Sequence, residues 1–275
     1  MMIITARHYH VNISGIHVHY ELYGSEGVKP LVVLIHGFLS STFSYRRLIP
    51  YLVNDFTVLA LDLPPFGKSE KSTRFRYTYK NLARLIIELL EHLQVKSCVL
   101  IGHSMGGQIC LNVARQRPEL VQQIVLLCSS GYLNRAKTSL LLSTYLPFFH
   151  LYVKRLLSRY GVEKTLLDVV YDQSIIDEEM KKGYEEPFTN QQIFLALARM
   201  LRHREGDLSS EELKEIQLPT LLIWGEEDRV VPIHIGKRLH QDLPDSRFIS
   251  FPKTGHLLPE EKPAEVYEQI IQFIQ

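Results

Sequence analysis

The sequence predicts an α/β fold with a mostly parallel central sheet, flanking helices and one inserted helical lid. Three observations carry this. Short, wholly apolar runs recur along the chain, as strands buried on both faces of a parallel sheet require. Segments with the 3.6-residue apolar period of amphipathic helices separate them. From 131 to 215 the helix signals continue but no convincing strand appears.

The first 30 residues read as strands. His17-Val18-His19-Tyr20-Glu21-Leu22-Tyr23 alternates between Gly15 and Gly24. Apolar runs follow at 31–35, 56–61, 97–101, 124–128 and 220–224, and 246–251 reads as a further strand. In 78–93, Leu82, Leu85, Ile86, Leu89, Leu90 and Leu93 make one helical stripe. Residues 104–117 continue as a helix until Pro118. Pro232 and Pro263 suit first helical positions, and Val266, Ile270, Phe273 and Ile274 give the last helix an apolar face. Within 131–215, Thr189 with Gln192 and Ser209 with Glu212 have capping-box spacing, and Ser174 with Asp177 is a weaker version. The block is too long for a loop. It reads as a lid over a core made of 1–130 and 216–275.

Composition narrows the function. The chain has 275 residues, 45% hydrophobic and 22% charged, an ordinary globular balance. Thirty-one Lys and Arg against 30 Asp and Glu leave a net charge of +1, with no electrostatic footprint for nucleic acid or anionic membrane. The three cysteines Cys98, Cys110 and Cys128 sit in apolar stretches without a CxxC or Cys/His ligand spacing. They are expected to be buried and inert, Cys98 and Cys128 in strands and Cys110 on a helix. No run reaches the ~18 apolar residues of a membrane span; the nearest, 138–153, contains Pro147. The N-terminus lacks the basic start, apolar run and cleavage site of a signal peptide, so a cytoplasmic location is expected.

Gly102-His103-Ser104-Met105-Gly106-Gly107 carries the chemistry. It follows an apolar strand and opens a helix, the context of a G-x-S-x-G nucleophile elbow. A sharp strand-to-helix turn raises the Ser104 hydroxyl above the sheet, and side chains at 102 or 106 would crowd nearby backbone. The helix N-terminus adds positive dipole where negative charge forms. Such a serine needs a base and an orienting acid. In this type of fold they follow in chain order, acid then histidine. Asp228 lies in the loop after strand 220–224, with Glu226 and Glu227 as competitors, and His256 lies in the loop after strand 246–251. His36-Gly37-Phe38-Leu39 ends strand 31–35 and nominates the backbone N–H groups of Phe38 and Met105 as an oxyanion hole. His36 and His103 read as structural residues that shape their loops.

These motifs resemble the α/β-hydrolase superfamily, and within it the cytosolic carboxylesterase-like and carbon–carbon-hydrolase-like branch. The resemblance rests on HGF at 36–38, DLPPFGKS at 62–69, GHSMGG at 102–107, WGEEDRVVP at 224–232 and TGHLLPEEKP at 254–263. It implies a catalytic triad of Ser104, Asp228 and His256 with no metal or cofactor. Pro65 stands where relatives usually have Gly. Haloalkane dehalogenases and epoxide hydrolases of this fold carry Asp at the elbow, where this chain has Ser104. The favoured expectation is a serine carboxylesterase acting on small-molecule esters of short-to-medium acyl chain. Leu39, Phe148, Phe149, Tyr152 and Leu257 are the expected pocket walls. The alternatives are a carbon–carbon bond hydrolase of vinylogous diketones, with Arg199, Arg202 and Arg204 as candidate carboxylate binders, and a small-molecule receptor or signalling partner with little turnover.

Overall fold

The computed structural model describes residues 5–24 and 29–274. Eight strands form one sheet: β1 (Arg7–Ile13), β2 (Ile16–Tyr23), β3 (Leu31–Ile35), β4 (Thr57–Leu61), β5 (Cys98–His103), β6 (Val121–Leu127), β7 (Thr220–Gly225) and β8 (Ser246–Phe251). Their spatial order is β1-β2-β4-β3-β5-β6-β7-β8. β1 pairs antiparallel with β2, and β2 antiparallel with β4; every other pairing is parallel. The parallel strands β3, β4 and β5 are buried almost throughout, which is why they are apolar on both faces.

The helices are α1 (Ile49–Leu52), α2 (Tyr79–His92), α3 (Met105–Gln116), α4 (Thr138–Ser143), α5 (Phe149–Tyr160), α6 (Val162–Val169), α7 (Glu178–Glu185), α8 (Gln192–His203), α9 (Ser210–Lys214), α10 (Ile233–Asp242), α11 (Leu258–Glu261) and α12 (Pro263–Ile274). The stripe read at 78–93 is the buried face of α2: Leu82, Leu85, Ile86, Leu89 and Leu90 are all covered. Thr78 caps this helix by accepting from the Asn81 N–H. α3 packs on β5 and β6 with α2 beside it, and α10 packs on β7 and β8. No helix among the described residues is long and apolar enough to cross a membrane.

Between β6 and β7 the chain is helical, from α4 to α9. Ser209 and Glu212 form the expected reciprocal capping box on α9. The other two expected caps do not form. Thr189 has helical φ/ψ of −66°, −30° at the end of a 3-10 turn, not the extended backbone of an N-cap, and Asn190 Oδ1 instead accepts from the Gln192 N–H. Ser174 lies inside another 3-10 turn, so Asp177, extended at −102°, 175°, caps α7 by accepting from the Met180 N–H. Pro232 likewise sits one residue before α10, not within it.

α8 anchors this block. It buries Ile193, Phe194, Ala196, Leu197, Ala198 and Met200, whereas α5, which packs against it, has no fully buried residue. On α5 the spacing separates two stripes. Val153 and Leu157 pack toward the core. Tyr152 and Leu156 point outward and are 60% and 52% exposed, and Phe148, left-handed at φ 63° just before the helix, is 71% exposed.

The three cysteines are free and buried. Cys98 begins β5 and Cys110 lies on α3. Cys128 sits one residue past β6, at φ 44°, where the chain turns out of the sheet rather than continuing it. Burial pushes the Cys98 thiol up to about 12 and the other two well above their ordinary value, with the Asp228 charge adding to the rise at Cys128. The native protein is therefore expected to resist thiol reagents, and unfolding in denaturant should expose all three thiols. Rapid labelling of the native protein, read by mass spectrometry, would contradict this burial.

Candidate active site

The site is assembled at one end of β5. Ser104 joins β5 to α3 with φ 52° and ψ −118°, a backbone conformation that L-residues rarely hold. Backbone bonds over-determine it: its N–H donates to the Leu127 carbonyl, and its carbonyl accepts from the Gly107 and Ser130 N–H groups. The two glycines of the motif are required by close approach. A Cβ at 102 would lie 2.6 Å from both Cys110 Sγ and the Gly106 carbonyl oxygen, and one at 106 would lie 2.0 Å from the Ile35 carbonyl oxygen.

Asp228 and His256 meet in the loops after β7 and β8. His256 Nδ1 lies 2.7 Å from Asp228 Oδ2, both side chains being buried. The other carboxylate oxygen, Oδ1, accepts from the Val230 and Val231 N–H groups at 2.8 and 2.9 Å. Burial alone would push this carboxyl up. The bond from His256 and the Val231 N–H outweigh burial and hold it below its ordinary value. Asp228 is thus a carboxylate at neutral pH. The competing acids are otherwise engaged: Glu226 is exposed and accepts from Ser250 Oγ, and Glu227 accepts from the Thr254 N–H.

His256 is tied to the elbow through the residue before Ser104. His103 Nε2–H donates to the His256 carbonyl at 2.8 Å, and the two rings lie tilted at 49° with centroids 4.8 Å apart. Burial and the neighbouring His256 push the His103 imidazole down to about 3, so it stays neutral. His36 is also buried and lowered by burial. Its Nδ1–H donates to the Gly37 carbonyl, and its Nε2 accepts from the Leu63 N–H, which sets the shape of the 36–38 loop. Two further ties hold the His256 loop to the helical block. The His256 N–H donates to the Val169 carbonyl at 2.7 Å. Glu261 accepts from Gly255 N–H through one oxygen and from Tyr171 N–H through the other. Glu261 is the second acid of the EE pair within TGHLLPEEKP.

A cavity of about 290 Å³ opens on Ser104. Phe38 and Met105, whose N–H groups are the expected oxyanion donors, line it together with Ser104. Its opposite wall is α8 and the residues just after it: Leu197, Met200, Leu201, Arg204 and Glu205. None of the five side chains expected at the pocket lines this cavity. Phe148, just before α5, and Tyr152 on it are exposed, and Phe149 packs beside Tyr152 with ring centroids 5.9 Å apart. Leu257 is buried in a separate cluster with Leu166, Val170, Met180 and Tyr184, and Leu39 packs against the core at φ 55°. α5 packs against α8, and it is α8 that buries its apolar face and supplies residues to the cavity wall. Of the three arginines, only Arg204 reaches the cavity. Arg199 lies 3.4 Å from the Arg74 carbonyl, and Arg202 bonds Thr144 and covers the Tyr145 ring.

Cys128, Asp228 and His256 are close enough for a cation to be considered. The 2.7 Å Asp228–His256 separation is a hydrogen-bond length, well under the about 3.3 Å between two donors on one tetrahedral zinc. This group fits a triad better than a metal centre.

Comparison with known proteins agrees with the architecture. The alpha/beta hydrolase fold family matches residues 30–263. The chain is 58% identical over 263 residues to the uncharacterized hydrolase YugF of Bacillus subtilis, covering 96% of each. It is 28% identical over 262 residues to the 2-hydroxy-6-oxo-6-phenylhexa-2,4-dienoate hydrolase of Comamonas testosteroni, covering 92% of this chain and 90% of that one. Among solved structures, a bacterial membrane phospholipase A superposes with a TM-score of 0.81 at 27% identity, covering 98% of this chain and 86% of that one. With its elbow, its sheet order and this match over most of its length, the chain belongs to the α/β-hydrolase fold family.

Proposed function

We propose that the protein is a serine hydrolase, a carboxylesterase that cleaves short-to-medium acyl esters with Ser104, His256 and Asp228. The observation that carries the reading is the buried Asp228–His256 pair, tied through His103 to a strained elbow serine that opens on a largely apolar cavity. Ser104 Oγ attacks the ester carbonyl carbon while His256 Nε2 takes the hydroxyl proton. The carbonyl electron pair moves onto oxygen, which the Phe38 and Met105 N–H groups receive. Collapse breaks the bond to the alcohol, which leaves with the proton from His256. Water then repeats the sequence on the acyl-enzyme and frees the acid. Asp228 fixes the tautomer in which Nε2 can accept, and stabilises the imidazolium. The 131–215 block serves as the lid, with α8 as the acyl wall.

Each methylene fully buried along that wall contributes up to ~0.8 kcal/mol until the cavity is full. Across a series of 4-nitrophenyl esters, kcat/KM is expected to rise and then fall, with its maximum at intermediate chain length. A steady rise through long chains with activation at a lipid interface would indicate a lipase. Tight binding of a small ligand without turnover of any substrate would indicate a receptor.

Arg204 supports a second reading. Arg204 lines the Ser104 cavity, and its guanidinium would suit the carboxylate of a vinylogous diketone, the kind of substrate that a carbon–carbon bond hydrolase takes. Cleavage of such a diketone without ester hydrolysis would favour it, and Arg204→Gln should then raise KM for the acid-bearing substrate.

A further inference from the structure

A second constellation lies at the far edge of the sheet. The β1–β2 hairpin carries His8 and His10 on one strand and His19 and Glu21 on the other, with His8 opposite Glu21 and His10 opposite His19. Strand alternation places all four on one face. Three of their donor atoms converge. His8 Nδ1 lies 3.4 Å from His19 Nε2 and 3.3 Å from Glu21 Oε1. Two ligands bonded at about 2.05 Å to one tetrahedral zinc are separated by about 3.3 Å, so both distances are edges of such a site.

The outer contacts point the same way. His19 Nδ1 lies 2.9 Å from Asp62 Oδ2, both side chains being buried, so Nδ1–H donates to that carboxylate, and in the neutral imidazole this leaves the Nε2 lone pair toward His8. This is the carboxylate–histidine arrangement that orients metal-bound imidazoles. Asp62 is itself fixed by the Thr42 and Lys68 N–H groups. Tyr23 O–H donates to Glu21 Oε2, which leaves Oε1 toward His8. His8 Nδ1 carries at most one hydrogen, yet two acceptor lone pairs face it. One proton on Nδ1 serves one of these two contacts; a cation would take a lone pair from each of the three atoms. The His8 side chain is 50% exposed, which gives an entry path, while Glu21 is nearly covered.

We propose that His8, His19 and Glu21 bind one divalent transition-metal cation of the Zn2+ type, with Asp62 as the positioning residue behind His19. Two imidazoles and a carboxylate suit such borderline ions over Mg2+ or Ca2+. The site lies away from the triad and stands whether or not the esterase reading does.

Titrating tag-free protein with CoCl2 tests this. One equivalent is expected to bind with the intense visible d–d absorption of four-coordinate Co2+, and ZnCl2 should displace it. His8→Ala, at a half-exposed position, and the isosteric Glu21→Gln should each weaken binding at least tenfold. Ser104→Ala, and His17→Ala on the same hairpin, should leave it unchanged. Absence of saturable binding overturns the proposal, and so does binding that survives either His8→Ala or Glu21→Gln. Equal loss in His17→Ala would show non-specific capture by a histidine-rich hairpin and would overturn it as well.

Discussion

Ester turnover in the Ser104→Ala protein is expected to fall by about 10⁴-fold or more, to the residual level left by binding and the oxyanion donors. Alanine removes only the hydroxyl. The bonds that hold the elbow, to Leu127, Gly107 and Ser130, are all made by the backbone of residue 104 and survive the change. Circular dichroism and the unfolding midpoint should therefore match the parent, which separates lost chemistry from lost fold. His256→Ala should be about as severe, because the general base disappears. The double variant should be little worse than either single one, since residues that act as a unit are non-additive. Full activity in Ser104→Ala would sink the assignment.

Asp228→Asn should cost about as much, on the order of 10⁴-fold in kcat, through a tautomer. The two N–H groups of Val230 and Val231 demand an acceptor at the Oδ1 position. An asparagine placed there keeps its carbonyl oxygen on them and turns its NH2 toward His256 Nδ1. Nδ1 must then accept, so the proton moves to Nε2, and the ring can no longer take the Ser104 proton. Glu226→Gln and Glu227→Gln should change kcat by only a few-fold, because those side chains serve Ser250 and the Thr254 N–H. A damaging glutamate variant beside an active Asp228→Asn would place the acid elsewhere.

Much of this architecture is legible in one dimension because its determinants are local. Apolar runs such as Leu31–Ile35 report strands covered on both faces, and the α2 stripe reports its own buried side. The elbow is legible because strain at Ser104 demands small neighbours within two residues on either side. The order acid then histidine, each after a strand, is a pattern along the chain.

Other features depend on distance across the fold. Capping by Ser209 is a contact three residues long and formed as read, whereas Thr189 and Ser174 were pre-empted by 3-10 turns. The pocket wall passed from α5 to α8 because it is α8 that buries its apolar face and supplies residues to the cavity. An aromatic-rich segment such as Phe148-Phe149-His150-Leu151-Tyr152 carries no record of that packing. The same holds for the hairpin. The alternation around His17-Val18-His19 is plain in the sequence, but the pairing register sets His8 beside Glu21. The sheet order then lays β2 against β4 and brings Asp62 behind His19. Local spacing was enough to read the strands, the elbow and the loops that carry Asp228 and His256. The pocket wall and the histidine cluster come from packing and strand register, because both join groups more than ten residues apart in the chain.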